Sequence, residues 1–248
     1  MGGPVVAVVP SRFASTRFPG KPLALIDGVP MVIRVLQRAS EAQLVDRVFV
    51  ATDDERIAQV VRDSDFEVVM TSTECASGTD RIAEAVSQLE SIAPKLVVNI
   101  QGDEPLLDPA DIDRLIDETL KSGQPMGTLA RVFDNLERFR DPNVVKVVRA
   151  NSGQALYFSR SPIPHNPSKI NGLPLMHIGL YAYVPHALRT LASQAPTDLE
   201  ICERLEQLRA LETGINIHVA LAASARPSIA VDVPEDVERV EDALRNIG

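Results

Sequence analysis

Four short runs rich in β-branched residues, separated by segments of helical spacing, restrict the first half of this chain to few folds. "PVVAVVP" (4–10), "DRVFVAT" (46–52), "FEVVM" (66–70) and "KLVVNI" (95–100) read as buried strands. Between and after them, "PMVIRVLQRASEA" (30–42), "DDERIAQVVRD" (53–63), "GTDRIAEAVSQLE" (78–90) and "PADIDRLIDETLKSG" (109–123) space their apolar residues as helices do. This alternation predicts a parallel sheet flanked by helices. Right-handed crossovers then put the loops that follow the strands on one edge, where such folds bind ligands.

The pattern changes after about residue 124. "MGTLARV", "NVVKVVR", "QALYFSR" and "LMHIGLYAY" are strand-like with little helix between them, which predicts antiparallel pairing. "PHALRTLAS" and "DLEICERLEQLRALETG" follow as helices, the second continuous to Gly214 with Leu199, Cys202, Leu205 and Leu208 on one apolar stripe. "INIHVALAA" is a late strand and "PEDVERVEDALRNI" a closing helix. The stretch "IPHNPSKINGLP" (163–174) reads as a mobile loop. With 248 residues and no linker-like composition, the sequence reads as one mixed-sheet domain.

A net charge of −9 argues against nucleic-acid or anionic-membrane binding. It also makes a local group of cations conspicuous. In "RFASTRFPGKPL" (12–23), directly after the first strand, Arg12, Arg17 and Lys21 crowd a Pro-Gly turn with Ser15 and Thr16. Reaction at a phosphate needs several positioned cations and close backbone approach, and this loop supplies both. Neither the Walker pattern nor a dinucleotide glycine fingerprint is present.

"NIQGDEP" (99–105) ends a strand and presents Gln101, Asp103 and Glu104 around a glycine. Paired carboxylates there suit a hard cation such as Mg²⁺; the alternative is a polar strand end, with Asp108 capping the next helix. Asp232 lies between apolar residues in "AVDVPEDVERVE", as a helix cap or a metal ligand, whereas Asp236 reads as surface charge. Ser77, Gly78 and Arg81 in "SGTDRIAE" suit either a helix cap or a nucleotide contact. His177 and Tyr181 share a strand face, and Glu203, Glu206 and Gln207 lie off the apolar stripe of their helix as a solvated face. Cys75 and Cys202 show no metal spacing and read as packing thiols.

Taken together, "RFASTRFPGKPL", "ATDDERI", "SGTDRIAE", "NIQGDEP", "DPNVVKVV", "ALYFSRSPIP", "HIGLYAY", "LEQLRALE" and "VDVPEDVERV" resemble the 3-deoxy-manno-octulosonate cytidylyltransferases over nearly the whole chain. The resemblance implies a Rossmann-like α/β nucleotidyltransferase fold over residues 1–248, with a mixed central sheet and a smaller antiparallel lobe at about 124–220. It implies transfer of CMP from CTP to the sugar acid Kdo for lipopolysaccharide synthesis, in a homodimer that uses Mg²⁺; the cytoplasmic expectation comes instead from the two thiols and from a first apolar run too short for a signal or spanning segment. It implies Arg12, Ser15, Arg17 and Lys21 at the phosphates and Asp103 and Asp232 at the metal. Ser77, Gly78, Arg81 and Gln101 fall at the nucleotide; Arg160, His177, Tyr181, Glu206 and Gln207 fall at the sugar. Met176, Val184 and "IPHNPSK" stand where relatives commonly carry positive charge, leaving Lys169 as a substitute cation and a related acid sugar (8-amino-Kdo or a sialic-type acid) as the alternative substrate. A catalytically silent nucleotide-binding regulator would lack Lys21 or the acidic ligands, and this chain has them.

Overall fold

Strand β1 (Val5–Ser11) is an almost unbroken buried run, with Val6 to Val9 fully covered. Burial of each such valine contributes roughly 1.5–3 kcal/mol, which fixes this strand in the middle of a sheet. It pairs in parallel with β4 (Arg47–Thr52) on one side and β6 (Leu96–Asn99) on the other. Parallel β5 (Glu67–Met70) extends the row beyond β4. The helices between these strands are α1 (Met31–Ser40), α2 (Glu55–Arg62) and α3 (Gly78–Gln88). A two-stranded hairpin, β2 (Leu25–Ile26) with β3 (Val29–Pro30), precedes α1.

The computed structural model describes residues 2–14, 17–133, 136–165, 172, 174–224 and 229–245. They form two compact units, one of residues 1–113 with 224–248 and the other of residues 114–223. The first unit contains the parallel strands and α9 (Asp236–Arg245), whose Val240 packs with Ile26, Met31 and Val231 in a buried cluster. Helix α4 (Pro109–Ser122) begins in the first unit and ends in the second.

In the second unit β7 (Met126–Val132) lies parallel to β11 (Ile217–Leu221) and antiparallel to β10 (Leu175–Tyr183). The antiparallel chain continues from β10 to β8 (Lys146–Arg149) and from β8 to β9 (Ala155–Ser159). Helices α5 (Leu136–Arg140), α6 (Pro185–Ala192), α7 (Asp198–Glu203) and α8 (Gln207–Glu212) complete it. The mixed α/β class and the switch to antiparallel pairing agree with the sequence; short α5 was not anticipated.

The helix expected over 198–214 is two helices. Arg204 sits between them with φ 54°, Leu199 and Cys202 are exposed, and only Leu205 and Leu208 are buried. The apolar spacing survives the break, so periodicity alone could not reveal it. Exposed Cys202 is therefore not a packing thiol.

Gly127 on β7 has no room for a side chain, because an added Cβ would lie 1.9 Å from Thr119 Oγ1 on α4. We expect Gly127→Ala to lower the unfolding free energy by about 1–3 kcal/mol. Adding Thr119→Ala should recover part of that loss in urea melts, and equal melts for the single variant and the parent would show that α4 gives way freely.

Candidate active site

The loop after β1 is shaped by Gly20. Its φ of 72° is left-handed, its N–H donates to Phe13 O at 3.0 Å, and a Cβ there would come 3.1 Å from the Phe13 ring. The Arg56 guanidinium lies 3.4 Å over the same ring, so a cation–π contact braces the turn. The chain emerges in a short 3-10 turn, Lys21–Leu23, with the Lys21 side chain mostly covered.

Lys21 Nζ donates to Asp103 Oδ2 at 2.8 Å and to the Val231 carbonyl at 2.9 Å, and lies 3.9 Å from Asp232 Oδ1. Arg17 Nη2 donates to the same Asp232 oxygen at 2.9 Å. The two carboxylate segments are joined directly, Val231 N–H donating to Asp103 O at 2.9 Å. Asp236 is no surface charge. It is buried, and its carboxylate accepts the N–H groups of Asp232 (2.9 Å) and Val233 (3.2 Å) and the Arg239 guanidinium (2.7 Å). The Asp232 N–H bond leads the effects that hold its pKa below the usual carboxylate range. Asp236 thus fixes the backbone that carries Asp232, a role hidden because the partner groups are main-chain.

Arg12, Arg17, Lys21, Asp103 and Asp232 line one cleft of the first unit, joined by Ser77, Gly78, Arg81 and Gln101. Ser15 and Lys169 lie outside the described residues. Glu104 is not among the lining groups. Both readings of Ser77 hold together: it lines the cleft and forms a capping box with Asp80 at the start of α3. Arg81 is buried, donating to Asp53 Oδ2 at 2.9 Å and Thr71 Oγ1 at 2.6 Å, so it ties α3 to the ends of β4 and β5. Pro10, Ser11 and Gly102 also line the cleft and were not read as site residues from sequence; Cys75, read as a packing thiol, is half-buried and lines it too. Gly102 was the available signal, since a Cβ there would come 3.0 Å from the Pro10 carbonyl. The Cys75 thiol is pushed up to about 11 by burial and by Glu84, and stays protonated.

Arg12, Arg17 and Lys21 outnumber the two carboxylates that line the cleft, Arg81 being already paired with Asp53, so the cleft favours an anionic ligand. Asp103 and Asp232 offer oxygen to one point, since both lie close to the same ammonium nitrogen. Among the described residues no group of three His, Cys, Asp or Glu could hold a metal alone. Two carboxylates fit Mg²⁺, which commonly takes one or two and completes its shell with phosphate and water.

In the second unit, a bulge on β10 between Ile178 and Tyr181 decides how His177 and Tyr181 meet. Residues four apart on a regular strand would be about 13 Å apart, yet the His177 and Tyr181 rings have centroids 5.5 Å apart. His177 Nε2 lies 2.9 Å from Thr128 Oγ1, which also lies 2.9 Å from Leu180 O. The arrangement that uses every group has the Thr128 hydroxyl donating to that carbonyl and accepting from a neutral His177. Burial pushes the His177 pKa down to about 3. Burial, Tyr183 and Glu206 together hold the Tyr181 phenol well above its usual value, as a donor, and this also places Glu206 near it. Gln207 is buried at the start of α8, not solvated. Arg160 directly follows β9, whose Ser159 pairs with Lys146, and the carbonyl of the preceding Val145 accepts the His177 N–H at 2.9 Å.

The family description "Cytidylyltransferase" matches residues 6–217. A 3-deoxy-manno-octulosonate cytidylyltransferase of Myxococcus xanthus is 50% identical over 246 residues, covering 98% of this chain and 97% of that protein. Its counterpart in Syntrophotalea carbinolica is 47% identical over 253 residues, covering 98% and 99%. This chain belongs to the 3-deoxy-manno-octulosonate cytidylyltransferase family. A solved CMP:2-keto-3-deoxy-manno-octonic acid synthetase complexed with CTP superposes with a TM-score of 0.91 at 35% identity, covering 99% of this chain and 100% of that one. A 4-diphosphocytidyl-2C-methyl-D-erythritol synthase shares the fold, with a TM-score of 0.65 at 16% identity over 97% of this chain and 99% of that one.

His177 gives the site a pH signature. Its folded pKa lies below the unfolded 6.5, so the stability of the neutral form is full above 6.5 and is lost as pH falls towards about 3. We expect the urea midpoint of the parent to fall further between about pH 7 and about pH 5 than that of His177→Gln. Parallel losses in the two proteins would remove His177 as the source.

Proposed function

We propose that this protein transfers CMP from CTP to the anomeric hydroxyl of 3-deoxy-D-manno-octulosonate (Kdo), giving CMP-Kdo and pyrophosphate. The observation that carries the reading is the junction of Lys21 with Asp103 and Asp232, which brings phosphate-binding cations and metal-type carboxylates into one cleft. The whole-length relatives and the CTP-bound structural neighbour support the same reaction.

In this mechanism the sugar's 2-hydroxyl oxygen attacks the α-phosphorus and the bond to the β-phosphate breaks. The hydroxyl proton passes to solvent and pyrophosphate departs. Lys21, Arg12 and Arg17 neutralise the charge that builds on the transferring and departing phosphates. Asp103 and Asp232 would hold Mg²⁺, which supplies phosphate charge neutralisation and a lower pKa for a coordinated hydroxyl when bound. The first turn of α3, opened by Ser77 and Gly78, presents backbone N–H groups towards the nucleotide, and Gln101 is assigned to it. Arg160 takes the sugar carboxylate, neutral His177 accepts a hydrogen bond from a sugar hydroxyl, and Tyr181, Glu206 and Gln207 complete the sugar contacts.

The reading carries a homodimer and a cytoplasmic location. Leu156 (58% exposed) and Ile201 (63%) in the second unit are apolar side chains of the kind a dimer covers. Among the described residues no helix is long and apolar enough to cross a membrane.

Two experiments test the proposal. Lys21→Ala and Asp232→Asn should each lower turnover by about 10²–10³ while the protein stays folded; near-normal turnover removes that residue from the mechanism. Pyrophosphate release, measured with each nucleoside triphosphate crossed with Kdo, 8-amino-Kdo and a sialic acid, should require CTP and an octulosonate. Release with the sialic acid alone would reassign the substrate.

A further inference from the structure

We propose that Glu203, together with the buried Lys146, is a positioning residue that sets the Arg160 guanidinium for the carboxylate of the sugar acid. The inference rests on the assignment of Arg160 to that carboxylate and adds to it a device for holding the arginine in place.

Arg160 is gripped at every polar group. Its backbone N–H donates to Glu203 Oε2 at 2.9 Å, while Glu203 Oε1 accepts from the Ser159 hydroxyl at 2.6 Å. Its backbone carbonyl accepts from Lys146 Nζ. The guanidinium donates from Nε to Glu203 O at 2.8 Å, from Nη1 to Pro142 O at 3.0 Å and from Nη2 to Arg204 O at 3.3 Å. A guanidinium has five N–H donors, so three are anchored and one remains on each terminal nitrogen. Two free N–H groups on a fork that cannot rotate suit the two oxygens of a carboxylate.

Lys146 closes the ring of contacts. It is fully buried, and its ammonium donates to the carbonyls of Asp141 (3.0 Å), Val144 (2.6 Å) and Arg160. Those acceptors use all three of its protons, and none is a carboxylate. The turn it holds includes Pro142, whose carbonyl anchors Arg160 Nη1. The break at Arg204 has a matching purpose, because a continuous helix would engage the carbonyls of Glu203 and Arg204 within itself. Instead both face Arg160, and α8 starts afresh three residues on with Gln207.

The test is a mutant cycle read as Michaelis constants for Kdo and for CTP. Glu203→Ala should raise the Kdo constant about tenfold and leave the CTP constant unchanged. Glu203→Gln should stay within about twofold of the parent, since an amide can accept the Arg160 N–H and donate to Ser159. In an Arg160→Ala background, Glu203→Ala should add nothing, as expected of a residue that acts through another. If Glu203→Ala does not fold, Ser159→Ala should give the same pattern at a few-fold scale. A purely structural Glu203 would lower the melting temperature with both constants unmoved, and that outcome overturns the proposal, as do independent losses in the cycle. Arg160→Ala raising the Kdo constant while Glu203→Ala does not would overturn the positioning role alone. An unchanged Kdo constant in Arg160→Ala would remove the sugar assignment and this inference with it.

Discussion

The Lys21 ammonium is the junction on which the first unit's site depends. A largely covered cation must be paired, and its partners come from segments 82 and 210 residues away in sequence. Each contact relies on a separate feature of the fold. The parallel sheet delivers the Asp103 loop beside β1, the left-handed Gly20 aims the lysine back, and Asp236 clamps the backbone that carries Asp232. Because the ammonium stands close to both carboxylates, any cation that uses them must share them with Lys21. Arg17 meets the same constraint at Asp232, with more exposure and more solvent screening.

Much of this was legible because strong local signals agreed with the global fold. The β-branched runs became strands within a residue or two, and Gly123 and Gly214 each fell at a left-handed position just after a helix. The cations of "RFASTRFPGK" were conspicuous against a negative chain. What stayed hidden was whatever depends on a main-chain partner, near or far. Nothing near Asp236 marks it as an acceptor for the backbone of Asp232, and nothing near Arg204 marks a helix break. The break is held by Arg160, 44 residues back, and the α7–α8 pair is tied by Arg209 to Glu200 at 2.6 Å. The bulge on β10 was equally silent: two extra residues stand between Ile178 and Tyr181 opposite the adjacent Leu129 and Thr128, and an even insertion leaves a period of two in phase. For the sugar side, the family resemblance supplied residues that the bare pattern assigned to a solvated face.

The two units use one principle with different chemistry. In the first, Asp236 holds Asp232; in the second, Glu203 holds Arg160. Each time a carboxylate without a proposed substrate contact accepts from the backbone (two N–H groups at Asp236, one at Glu203 beside the Ser159 hydroxyl) and orders the segment bearing a group with one. Orientation achieved in this way is complete before ligand arrives, so little reorganisation remains for the reaction.

The units differ in where they keep charge. A polyphosphate calls for several cations, and the first unit lines its cleft with them, Arg17 exposed and Lys21 largely covered. On the proposed reading a sugar acid brings one carboxylate and many hydroxyls, and the second unit sets an anchored arginine beside an uncharged His177 and a protonated Tyr181, with the Glu206 carboxylate near the phenol. The uncharged state limits what the His177 ring can do. A base with a pKa of about 3 has little driving force to take a hydroxyl proton. In the proposed mechanism His177 therefore orients the sugar rather than deprotonating it.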